Sequence, residues 1–179
     1  MQTKTFNHYF EREDHLHNDK IQLWMDYSLF TWQWWLGVVL LFLPIILWLL
    51  FRKRGSTDRF LYAGFFVSII SSFLDSIGDF SHLWEYNYEV FPFTTYYLPW
   101  SLSALPVSVM FVLQIRPKIN PFLKGIIFST VCSFVILPIF KVMGIYDPIK
   151  WKYIYSFPIT LIIFLIAYYL SKRKEFNQY

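Results

Sequence analysis

The stretch "FLYAGFFVSIISSFLDSIGDFSHLW" (60–84) decides how this chain is read. It is long and apolar enough to cross a bilayer, which takes about 20 such residues. Yet it carries Asp75, Asp79 and His82. On a helix turning about 100° per residue, Gly64, Ser68, Ser71, Ser72, Asp75, Asp79, His82 and, one turn on, Tyr86 share a sector of about 100°. Phe66, Val67, Ile69, Ile70, Phe73, Leu74, Ile77 and Phe80 cover the rest of the surface. An acid at mid-bilayer costs about 2.5–3.5 kcal/mol. The stripe must therefore face other helices or a water-filled cleft, not lipid.

The chain supplies those helices. Four further apolar runs occupy about 30–51, 96–115, 122–140 and 153–170, beside the span at 60–84. The fold class expected is all-α: a polytopic transmembrane bundle of about five spans. Composition agrees, with 56% hydrophobic, 23% aromatic and 16% charged residues. Soluble domains are nearer a quarter charged. No internal repeat and no linker rich in Gly or Ser divides the 179 residues, so one domain is expected over 30–171. Pro44, Pro99, Pro106, Pro138 and Pro158 interrupt the spans. Each removes a backbone donor and frees a carbonyl one turn earlier, so kinks are expected to open space inside the bundle.

Residues 1–29 are polar, with five acids (Glu11, Glu13, Asp14, Asp19, Asp26) against three bases. A cleavable signal peptide would instead open on a basic segment and a short apolar core. Lys and Arg set the expected orientation. With the N-terminus outside, the inner segments hold ten: Arg52, Lys53, Arg54, Arg59, Arg116, Lys118, Lys124, Lys172, Arg173 and Lys174. The outer segments hold six: Lys4, Arg12, Lys20, Lys141, Lys150 and Lys152. Segment 1–29 is then extracytoplasmic and 172–179 is a basic cytoplasmic tail. Trp32, Trp34, Trp35, Trp84, Trp100 and Trp151 all fall near the outer boundary, where such rings prefer to sit.

Several chemistries are excluded. The bases form short clusters without interleaved aromatics, so nucleic-acid binding is not expected. Cys132, the single cysteine, cannot form an internal disulfide and reads as a small core residue. The chain has no Gly-rich phosphate loop, G-x-S-x-G elbow, C-x-x-C or H-E-x-x-H, and no cofactor can be named. "GSTDR" (55–59) reads as a cap, with Ser56, Thr57 or Asp58 meeting the first amides of the second span.

The stripe carries what chemistry there is. Carboxylates one turn apart repel, so one should hold a proton that His82 can accept. That suits a proton relay or a cation site. Asp75, Asp79 and His82 also make a weak metal-ligand set, three donors from one helix. The plainer reading is hydrogen bonding to interior Ser, Tyr or Trp groups. In the N-terminal segment, His8, Glu11 and His15 share a helical face that could hold zinc weakly. The plainer reading there is an amphipathic lead-in, with Ile21, Trp24 and Met25 on the membrane surface.

The pieces "DSIGDF…LWEYNYEVFPF…YLPWSLSALPVSVMFVLQ" and "GIIFSTVCSFVILPIFKVMGIYDPIKWKYIYSFPI" resemble an uncharacterised family of small multi-pass membrane proteins of spore-forming bacteria. The carrying features are Asp75-x-x-Gly78, the Trp84/Tyr86 pair, "LPW…LPV" at 98–107 and "GIY…WKYIYSFP" at 144–158. The likeness covers roughly 60–170. It implies an integral protein of a bacterial cell membrane with five or six helices, and no catalytic residue.

Under this topology one outward-facing pocket is expected, rimmed by aromatics with acids at its floor. Its candidate ligand-binding or proton-relay residues are Asp75, Asp79, His82, Trp84, Tyr86, Trp100 and Lys152. Lys152 or Lys141 would pair with an acid and offset its desolvation. Three functions are open: binding of a lipid, small molecule or partner helix; an enzyme acting on a lipid or isoprenoid; and a proton- or cation-coupled carrier. The carrier reading needs a homo-oligomer, since five spans show no inverted repeat. The bilayer is the one partner all three share.

Overall fold

The computed structural model describes residues 2–115 and 119–172, without the side chains of 2–6, 8 and 9. The side chains of Lys4 and His8, the charges of Arg116, Lys118, Arg173 and Lys174, and the tail beyond 172 thus lie outside the described residues. Six helices and one short two-stranded ribbon follow in order. They are α1 (Gln2–Tyr27), α2 (Trp32–Phe51), α3 (Thr57–Phe80), β1 (Trp84–Tyr86), α4 (Pro99–Gln114), α5 (Pro121–Val142), β2 (Tyr146–Pro148) and α6 (Tyr153–Leu170).

Four of these helices are long and apolar enough to cross a membrane: α2, α3 with its preceding 3-10 turn, α5 and α6. The expected third span is the shorter α4. It lies at the centre, with Val107, Val109, Met110 and Leu113 buried against Ala63 and Val67 of α3. α4 packs on α2 and α3, α6 on α3 and α5. The outer faces carry exposed apolar residues such as Phe65, Ile69 and Phe73. Lipid satisfies such a face as well as protein does.

Both ends of the bundle are sealed by backbone chemistry. At the basic end, Gln114 closes α2: its Nε2 donates to the Phe51 carbonyl (2.9 Å) and its Oε1 accepts from Lys53 N–H (3.1 Å). Lys124 Nζ does the same for α4, donating to the Val112 carbonyl (2.9 Å) and to that of Ile115. The expected cap at 55–59 differs in detail. Ser56 occupies the N-cap without a side-chain bond, and Thr57 Oγ1 donates back to the Arg54 carbonyl.

At the other end, α3 and α5 stop in the same way. His82, at φ +49°, follows the last turn of α3, and Leu83 N–H reaches the Gly78 carbonyl five residues back. Gly144, at φ +73°, follows α5, and Ile145 N–H reaches the Phe140 carbonyl. Left-handed residues with 6→1 bonds are how many helices end. The chain leaves each helix into β1 or β2, which pair antiparallel with Glu85 opposite Asp147. The second span therefore ends at Phe80, not Trp84, and His82 and Tyr86 leave the helical stripe on which they were expected.

α1 lies across this ribbon end. Lys20 pairs with Glu89 (3.0 Å), Trp24 Nε1 donates to the Glu89 carbonyl (2.7 Å) and Ser28 Oγ donates to the Asn87 carbonyl (3.0 Å). Burial raises the Glu89 carboxyl pKa, with Lys20 opposing it. Trp24 thus serves the 87–90 loop, whereas Met25 stays exposed.

Candidate functional site

α4 and α5 each contain a widened π turn, Pro99–Ala104 and Cys132–Ile136. The cause is local. Pro106 and Pro138 follow these turns, and a proline ring collides with the carbonyl four residues back. Widening the turn relieves that collision: Leu105 N–H bonds the Trp100 carbonyl, and Leu137 N–H bonds that of Cys132. The next carbonyl in that five-residue register belongs to Ser101 in one helix and Ser133 in the other. Its donor would be residue 106 or 138, a proline with no N–H.

α3 fills the first gap. Ser68 Oγ (3.2 Å) and Ser71 Oγ (3.0 Å) both donate to the Ser101 carbonyl. Ser101 Oγ, fully buried, donates to Asp75 Oδ2 at 2.7 Å. Tyr86, brought back over α3 by β1, donates to Asp75 Oδ1 at 3.0 Å. Burial, then the neighbouring Asp75 charge, raises the Tyr86 phenol well above its usual pKa, so it remains a donor. Asp75 is 7% exposed. The expectation that it bonds interior Ser and Tyr groups describes these contacts.

Among the described residues no side chain fills the second gap. Ser133 is fully buried and its hydroxyl has no partner among the described residues. Between Ser133 and Asp75 lies a cavity of about 220 Å³. Its walls come from α3 (Ser71, Leu74, Asp75, Ile77, Gly78), α4 (Trp100, Leu105), α5 (Cys132, Ser133, Leu137) and α6 (Ser156, Ile159, Thr160, Ile163). Trp84, Tyr86, Tyr146 and Trp151 roof it at the ribbon end. Trp84 packs edge-on against Trp151, with ring centres 4.8 Å apart, and Trp151 Nε1 donates to Ser156 Oγ (2.8 Å). Gly78 makes that roof fit, since a Cβ there would stand 2.0 Å from the Trp84 ring. The cavity is open, and its lining residue Ile77 is 44% exposed on the apolar face of α3.

Of the residues expected at a pocket, Asp75, Trp84, Tyr86 and Trp100 meet here. Asp79, His82 and Lys152 do not line the cavity. Asp79 points to the charged surface group of Lys20, Glu85 and His82. His82 is exposed beside Glu85 at 3.8 Å, because the left-handed turn throws it outward. Lys141 and Lys152 are exposed, and among the described residues neither forms an ion pair with an acid. Among the described residues no three His, Cys, Asp or Glu side chains gather as a metal site. The stripe is thus split, and Asp75 keeps neither the acid nor the histidine expected beside it. Sequence reasoning missed Ser101, Ser133 and Thr160. The signal was present as S-x-x-x-L-P, repeated at 101–106 and 133–138.

Compared with protein-family models, curated proteins and solved structures, the chain matches none.

Proposed function

We propose that this is a membrane-embedded binding protein that holds a small amphiphile in the cavity beside Asp75. The observation that carries the reading is the cavity itself: an open, mainly apolar and aromatic space with a single buried carboxylate in its wall. Ligand sites combine an apolar lining with a few placed polar groups in this way. At about 220 Å³ it is smaller than the usual pocket of about 300–1,000 Å³. It suits a small molecule or one end of a lipid. Asp79 and His82, expected beside Asp75 for acid–base work, stand elsewhere.

The excess of bases at the basic end supports an orientation with the ribbon end outside, which puts the cavity in the outer half of the bilayer. The resemblance over 60–170 supports a bacterial cell membrane as its location. Lys150→Cys at the ribbon end and Arg54→Cys at the basic end test this. An impermeant maleimide on intact cells should label the first and not the second, while native Cys132 is buried.

Binding is tested by native mass spectrometry of protein released from nanodiscs cut directly from cell membranes. Wild type should carry a small adduct, and Thr160→Trp, which fills the cavity, should lose it while keeping its helical circular dichroism. An adduct-free wild type would overturn the reading.

A further inference from the structure

The lining of this cavity is selective in charge. Among the residues that form it there is one acid, Asp75, and no Lys, Arg or His. An anionic head group would meet a carboxylate with no cation to offset it, in a medium where unpaired charge is costly. A carboxylate accepts through about four lone-pair positions. Ser101 and Tyr86 take one each, and the Trp84 indole N–H and the Tyr97 backbone N–H also lie near the carboxylate. The one charged group offered is therefore an acceptor.

Resting on the binding reading above, we propose that the site takes a neutral or cationic hydrogen-bond donor on an apolar body, an aliphatic alcohol or amine, and rejects anions. A cavity of about 150 Å³ takes benzene, so 220 Å³ takes a body of roughly ten non-hydrogen atoms. The exposed rim at Ile77 lets such a body enter from the lipid side of α3. Asp75 would read the donor.

The test uses four photoreactive probes that share one short diazirine-bearing chain: an alcohol, a primary amine, an alkyl sulfate and the parent alkane. Each is added at pH 7 to the full-length protein in phosphatidylcholine nanodiscs, irradiated, and mapped by peptide mass spectrometry. The alcohol and amine should label 71–78, 132–137 and 156–163 about tenfold more than the sulfate or the alkane, a ratio worth about 1.4 kcal/mol. Equal labelling of these segments by all four probes would leave a binding cavity standing and overturn the donor class. Preference for the sulfate would overturn it too. No labelling of these segments by any probe would remove the binding reading as well. Asp75→Asn keeps an acceptor of the same shape without the charge. It should cut amine labelling about tenfold and leave the alcohol within about threefold. Undiminished amine labelling would overturn Asp75 as the reader.

Discussion

The two S-x-x-x-L-P turns are alike in sequence and differ in what surrounds them. In α4 the proline at 106 strands the Ser101 carbonyl, and α3 sends Ser68 and Ser71 to meet it. The Ser101 hydroxyl then has only one task, which is to hold Asp75. In α5 the proline at 138 strands the Ser133 carbonyl in the same way, but among the described residues no side chain donates to it, and the residue lies in the wall of the cavity. The lesson is that a proline-widened turn creates unmet polar groups, and tertiary context decides whether they become glue or a site. In lipid no water meets them for free, so the choice has consequences.

The comparison breaks most visibly at Ser101. Ser101→Ala removes a buried donor to a carboxylate and should cost about 1.5–3 kcal/mol, read as a lower midpoint in thermal unfolding by circular dichroism. A midpoint unchanged from wild type would mean Asp75 is held by other groups. Next come the two helix ends, which share an ending but not a residue. Gly144→Ala forces a side chain into the left-handed region and should cost about 1–2 kcal/mol. His82→Gly removes such a side chain from φ +49° and should be neutral to slightly stabilising, by up to about 1 kcal/mol. A loss of stability there would show that the imidazole does more than point outward to Glu85. Unfolding midpoints of the two variants, measured side by side, check both signs.

Much of this was legible in residues taken singly. Fully apolar runs such as Leu161–Leu165 and the bases that bound them gave the helices to within a few positions, because bilayer thickness leaves little freedom. Asp75 was legible as an inward-facing group, since no lipid-facing position tolerates it. The stripe beyond it was not. A pattern of 3.6 residues carries no mark of where the helix stops, and the stop came from a left-handed histidine, which is less common there than glycine. Tyr86 reached Asp75 all the same, through a ribbon whose partner strand lies 60 residues on. Ser133 was illegible for a different reason. A lone serine in an apolar run reads as filler until one asks which carbonyl the following proline has stranded.

The smallest effect is the sharpest test of that difference. Ser133→Ala deletes a hydroxyl that has no partner, so nothing in the bundle should miss it. Burying an unpaired hydroxyl is itself unfavourable, and its removal should leave stability within about 0.5 kcal/mol of wild type or raise it slightly. The same methyl-for-hydroxyl exchange therefore has opposite consequences at two positions that share a motif, a π turn and full burial. A drop matching that of Ser101→Ala would place a partner at Ser133 and make the two turns equivalent. An unchanged midpoint together with weaker labelling by the alcohol probe would show the hydroxyl kept for something outside the chain.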